Sequence, residues 1–193
     1  MKKTPAFATM AILVATPAAA HLPPGEYGSF LAGVTHPLFG LDHVLAMIAV
    51  GLWAAQIGGR ALWQVPSAFV LAMLAGFALA LAGLPLPMVE PAILVSIIVL
   101  GLVVAMALRP AAPWAMALVA GFALFHGHAH GGELGGAQAL TFGAGFAMAT
   151  AALHAMGLLI ALIFARALQA GSGLVLRLMG GATALAGAAI AFG

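Results

Sequence analysis

Residues 137–165 read AQALTFGAGFAMATAALHAMGLLIALIFA, with no Lys, Arg, Asp or Glu and a single histidine, His154. About 20 apolar residues in helical conformation cross a hydrocarbon core about 30 Å thick. This run is longer than that, which predicts a tilted span or one with an interfacial end. Five further runs surround it, and spans are expected at 29–57, 66–83, 88–108, 112–130 and 173–192. Between them stand Gly58-Gly59-Arg60, Gly83-Leu84-Pro85-Leu86-Pro87, Arg109-Pro110, a Gly-rich segment at 131–136, and Gly171-Ser172-Gly173, all turn chemistry. The fold class read from this pattern is all-α, a polytopic membrane bundle of six transmembrane helices.

Composition agrees. The chain is 65% hydrophobic with a mean hydropathy of +1.20, so no stretch is left to build a soluble second domain. Abundant Gly and Ala permit close helix approach in lipid, where no hydrophobic effect drives helices together. Three spans per half, entering from opposite sides, would allow an inverted repeat, although the halves share little sequence beyond their histidine-rich segments.

Ahead of the spans, residues 1–20 read as a cleavable signal peptide. Lys2 and Lys3 form the basic start, Pro5 to Val14 the apolar stretch, and Ala18-Ala19-Ala20 the cleavage site. Residues 21–193 would then be one transmembrane domain whose new N-terminus, His21, is extracytoplasmic. With that start, Arg60, Arg109, Arg166 and Arg177 all fall on the cytoplasmic side, as the positive-inside tendency requires. Glu26, Glu90 and Glu133 fall on the opposite side or at its interface. Trp53, Trp63 and Trp114 are placed near the cytoplasmic interface, where aromatic belts form. Both mature termini are expected outside.

Ten charged residues and seven histidines are few, so each polar side chain at membrane depth needs a reason: an ionisable group there costs roughly 2.5–3.5 kcal/mol even on the lenient insertion scale. Two segments concentrate them, His36-Pro37-Leu38-Phe39-Gly40-Leu41-Asp42-His43 and His126-Gly127-His128-Ala129-His130-Gly131-Gly132-Glu133. Pro37 removes a backbone donor and Gly40 loosens the turn, so the first span is expected to kink or break there. His36 and His43 share a face if the helix persists, and Met47 follows one turn below His43, where packing is the favoured reading. Asp42 is the deepest acid; beside a divalent cation it can stay charged. His126, His130 and Glu133 keep helical phase and offer two imidazoles and a carboxylate on one face, with His128 pointing away. His154, deep in its span, reads either as a hydrogen-bonding group between helices or as a ligand further along the same route. His21, as a free N-terminus, offers an amine and an imidazole together. Imidazole and carboxylate gathered at membrane depth point to a cation route.

The stretches HPLFGLDHVLAMIAVGLWA (36–54) and FHGHAHGGE (125–133) resemble the two signatures of the HupE/UreJ family of nickel permeases, H-P-x-x-G-x-D-H and F-H-G-x-A-H-G-x-E. ATAALHAMG (149–157) is also similar to the family, and the likeness covers essentially the whole chain. The resemblance implies a multi-pass protein of the bacterial cytoplasmic (inner) membrane that takes up Ni2+ for hydrogenase or urease maturation. It implies His36, Asp42, His43, His126, His130 and Glu133 as functional positions, while His128 falls on a variable one. Ni2+ is then cargo and not a resident cofactor, and Co2+ remains a second candidate.

Other classes fit less well. With no cysteine, thiolate zinc sites and iron–sulfur clusters are excluded, and imidazole with a little carboxylate suits Ni2+. No nucleotide-binding motif is present, so the chain does not hydrolyse ATP, and six bases against four acids give no sign of nucleic acid as partner. A membrane cytochrome would use His126, His130 and His154 as haem ligands. A metal sensor or chaperone would explain His126 to Glu133 but leave Asp42 without a role. A zinc hydrolase lacks its H-E-x-x-H order. Membrane lipid is the surrounding partner, and a homo-oligomer is left open. Sequencing of the membrane-inserted protein by Edman degradation should start at His21; a start at Met1 would make the leader a first helix instead.

Overall fold

A computed structural model describes residues 30–132, 134, 138–168 and 171–193. The leader, His21, Glu26 and Glu133 lie outside the described residues. Every regular element among those described is a helix: α1 Phe30–Phe39, α2 Leu41–Ile57, α3 Ala61–Leu81, α4 Val89–Ala105, α5 Ala112–Gly131, α6 Ala139–Leu168 and α7 Ser172–Phe192. Among them α3, α6 and α7 are each long and apolar enough to cross a membrane alone. α1 and α2 pass the same test only together, as one bent pair.

The first span differs most from a simple rod. Pro37 has no N–H to give the Gly33 carbonyl, and α1 stops two residues later. Gly40 is extended (φ −89°, ψ 109°), and α2 departs at 87° to α1. The expected break is therefore nearly a right angle, so His36 and His43 lie on different helices and not on two turns of one face. α3 begins at Ala61, ahead of the expected 66, which puts Pro66 inside it. α6, with 30 residues, extends about 45 Å and exceeds the hydrocarbon core.

Glycine lets these helices touch backbone to backbone. A Cβ on Gly51 would overlap the His154 carbonyl oxygen, one on Gly157 the Ile48 carbonyl oxygen, and one on Gly127 the Met73 carbonyl oxygen. Gly101 and Gly180 serve the same purpose where α4 crosses α7. The pairings set direction: α2 runs parallel to α6, and α4 antiparallel to α7. The broken first span packs on α6 while α5 packs on α3, the cross-pairing that an inverted repeat would produce.

Because α2, α4 and α6 run one way and α3, α5 and α7 the other, the four arginines gather at one end of the bundle. Arg60 precedes α3, Arg109 follows α4, Arg166 sits in the last turn of α6, and Arg177 lies near the start of α7. At that end α4 closes with Ala107 left-handed (φ 52°) and with Leu108 N–H donating to Val103 O at 3.0 Å. Two side chains then cover its last carbonyls, Gln56 donating to Val104 O (3.1 Å) and Arg177 to Ala105 O (2.8 Å), and Trp53 donates to Leu108 O (2.8 Å) just beyond the helix. Trp53 is thus buried in this clamp and is not part of an interfacial belt, whereas Trp63 and Trp114 do face outward. Away from the ends the polarity is inverted relative to a soluble protein. Leu71, Leu140, Ile163 and Leu185 face outward, while His36, His43, His126, His130 and His154 are buried.

Gly127→Val should lower the thermal midpoint of the detergent-solubilised protein, equivalent to about 1–3 kcal/mol of overpacking, because the new side chain meets backbone that cannot step aside. Gly121→Ala, on the same helix with no atom within 4 Å of the added Cβ, should not lower it.

Candidate metal centre

Four polar side chains from three helices form one hydrogen-bonded chain. Asp42 Oδ1 lies 3.1 Å from His43 Nδ1, His43 Nε2 lies 2.7 Å from His130 Nε2, and His130 Nδ1 lies 2.8 Å from His36 Nε2. An ionised Asp42 is an acceptor only, so His43 gives it the Nδ1 proton and keeps a lone pair on Nε2. His130 donates its Nε2 proton to that lone pair and accepts from His36 Nε2–H on its other nitrogen. For neutral rings, one carboxylate thereby sets the proton positions of all three imidazoles.

The local folding delivers these groups. The break at Gly40 turns α1 back over the bundle so that His36 reaches His130 on α5. Asp42 and His43 open α2 directly after the break, and His130 lies near the end of α5. Phe142 and Phe146 of α6 wall the cluster, with ring centroids 5.6 Å (Phe142) and 6.3 Å (Phe146) from His36 and 5.0 Å (Phe146) from His130. Water is thereby kept from one side of the chain.

Among the described residues, no three His, Asp or Glu side chains stand as a ready-made coordination shell. The reason is visible in the distances. Two nitrogens bound to one ion at about 2.0–2.1 Å sit about 3 Å apart or more, so the 2.7 Å pair of His43 and His130 is joined by a proton. A cation held by both nitrogens would need that hydrogen bond opened and the two rings moved apart.

A second group begins where the chain ends. The His126 ring stands edge-on to His43, centroids 4.9 Å apart. Its Nε2 lies 2.9 Å from Ser96 Oγ, which lies 2.6 Å from Ile93 O. Ser96 gives its own proton to that carbonyl, so it accepts from His126 Nε2–H and leaves Nδ1 as a bare lone pair. That Nδ1 has no hydrogen-bond partner, and neither ring nitrogen of His154 has one. An unsatisfied buried polar group costs about 1–3 kcal/mol, which makes three in one region unusual. Both rings pack against Phe69, its ring centroid 5.7 Å from that of His126 and 5.0 Å from that of His154.

Of the residues singled out in the sequence, His36, Asp42, His43 and His130 come together, His126 adjoins them, and His154 shares the Phe69 ring with His126. His128 goes elsewhere, its Nε2 2.8 Å from the Leu84 carbonyl. Met47 is fully buried packing. Sequence reasoning passed over Ser96 and Phe69. Ser96 is the one hydroxyl in α4 and so had a signal; an aromatic in an apolar helix has none.

The family model described as HupE / UreJ protein matches residues 9–190. Protein HupE of Rhizobium leguminosarum bv. viciae is 47% identical over 196 residues, covering all of both chains. No solved structure matches. With a family match spanning nearly its full length, and with His36, His43, His126 and His130 buried in a helical bundle, the chain belongs to the HupE/UreJ family.

Proposed function

We propose that this protein is a permease that carries Ni2+ across the cytoplasmic membrane into the cell, where it supplies the maturation of a nickel enzyme such as hydrogenase or urease. The observation that carries the reading is the hydrogen-bonded chain Asp42–His43–His130–His36, three buried imidazoles and one partly exposed carboxylate drawn from three apolar helices. Imidazole with little carboxylate and no thiolate suits Ni2+ and Co2+ better than Mg2+ or a soft ion, so Co2+ is the alternative cargo. The family name agrees with the metal but does not by itself select it.

In this reading the arginine-bearing end of the bundle is cytoplasmic and the ion enters from the other end. His21 and Glu133 serve as outer collecting groups. The ion then takes the Nε2 lone pair of His43 as the hydrogen bond from His130 opens, every proton staying on its own ring, with Asp42 holding countercharge. His126 and His154 continue the route toward the arginine end. No group on the chain supplies chemical energy, and an inside-negative potential is sufficient: about 2.3 kcal/mol per charge per 100 mV, hence about 4.6 for a dication. The six spans, the cleaved leader and the outward termini belong to the same proposal.

Radioactive Ni2+ uptake into cells expressing the chain should be saturable, insensitive to excess Mg2+, and slowed when the membrane potential is collapsed. Asp42→Asn and His130→Ala at matched abundance should each reduce it to the level of empty cells. Uptake by wild type no higher than in empty cells would overturn the reading.

A further inference from the structure

We propose that the crossing of α3, α5 and α6 holds a second cation site, separate from the Asp42–His36 chain, formed by His126 Nδ1, His154 and the Met73 thioether. The inference rests on the permease reading and adds a binding step to it.

Three observations place the donors together. His126 and His154 both stand against the Phe69 ring, at 5.7 and 5.0 Å. Met73 follows Phe69 by one turn of α3, and its carbonyl abuts Gly127, the neighbour of His126. Thr150, one turn before His154 on α6, donates its hydroxyl to Met73 Sδ at 3.5 Å and so holds the thioether at the same level. All four of these side chains are essentially fully buried.

The donors are also prepared for a metal and not for hydrogen bonding among themselves. Metal-binding histidines usually give their other N–H to a neighbouring acceptor, which fixes the ring and frees the ligating lone pair. Ser96 does this for His126: it takes the Nε2 proton at 2.9 Å because its own proton is committed to Ile93 O. His126 Nδ1 is left partnerless, as are both nitrogens of His154. The outer histidines differ in that they satisfy one another. A purely structural role would call for hydrogen-bond partners at His126 Nδ1 and at His154, and among the described residues they have none.

The donor set names the ligand class. Two imidazole nitrogens and a thioether take a borderline first-row dication, Ni2+, Co2+ or Zn2+, and reject Mg2+ and Ca2+, which require oxygen. With no carboxylate, the site holds a dication more weakly than the Asp42 chain does. An ion passing inward therefore moves from a charged site to a neutral one, which favours onward release. His154 also borders a groove between α3 and α6 lined by Pro66, Ser67, Ala151 and Ala155, a side opening next to the second site.

The test is equilibrium dialysis of the purified full-length protein in detergent against Ni2+, with thermal melts as the check on folding. Wild type should show a tight and a weaker binding event, with Mg2+ competing at neither. His154→Ala should lose the weaker event alone, and Asp42→Asn should damage the tight one alone. Met73→Leu preserves volume, so its fold is secure even if His154→Ala unfolds; it should weaken the second event and leave the first. Ser96→Ala, which frees the His126 tautomer, should weaken the second event as well. A single binding event in wild type, or a second one indifferent to Met73→Leu and His154→Ala, overturns the proposal. Ni2+ uptake with only one binding event would leave the permease standing without this site, whereas two events without uptake would remove the permease and keep the site.

Discussion

The polar interior depends on the 2.7 Å contact between His43 and His130. It joins the start of α2 to the end of α5, and through the second nitrogen of His130 it also holds α1. An imidazole buried among apolar helices has few ways to satisfy both nitrogens, and His130 uses both on other histidines. The direction of every hydrogen bond in the chain follows from Asp42, since a carboxylate can only accept. Three helices are tied by side chains that, taken singly, would each be a cost at membrane depth.

The apolar framework makes that contact possible by bringing backbones unusually close. Gly51, Gly127 and Gly157 allow carbonyl oxygens of a facing helix to sit where a Cβ would otherwise be. Helices that approach this closely leave little space between their side chains, so the histidines meet without water between them. At the arginine end, the clamp of Trp53, Gln56 and Arg177 satisfies carbonyls in the last turn of α4 and just beyond it. One end of the bundle is thereby fastened by polar caps, while the opposite end carries the broken helix and the histidine chain.

Much of this was legible in the sequence, and the parts that were not have specific causes. Helix positions follow from apolar runs and from Gly and Pro, and the break near Pro37 follows from the missing donor. Its 87° size does not, because it is set by how α1 lies on α6. Helical phase grouped His126 with His130 and Glu133, but the hydrogen bonds of the two histidines go to other helices, Ser96 for one and His36 with His43 for the other. Phase describes one helix and is silent about what it faces. Trp53 was read as interfacial because it stands near Arg60 in the chain; the nearby end of α4, remote in sequence, buries it. Ser96 escaped notice since a serine bonded to its own helix, as this one is to Ile93 O, ordinarily needs no further partner.

The right-angle break has an electrostatic consequence. α2 begins at the break, so its N-terminus, the positive end of a helix dipole, adjoins the Asp42–His43 pair. Asp42 lies in that first turn, and its carboxylate already has a partial positive charge beside it. Such a pairing is worth about 0.3–1 kcal/mol at exposed sites and up to about 2 where partly buried. The break thus gives the one carboxylate of the polar chain a helix N-terminus as its neighbour, a support that an unbroken helix through residues 30–57 would not have offered it.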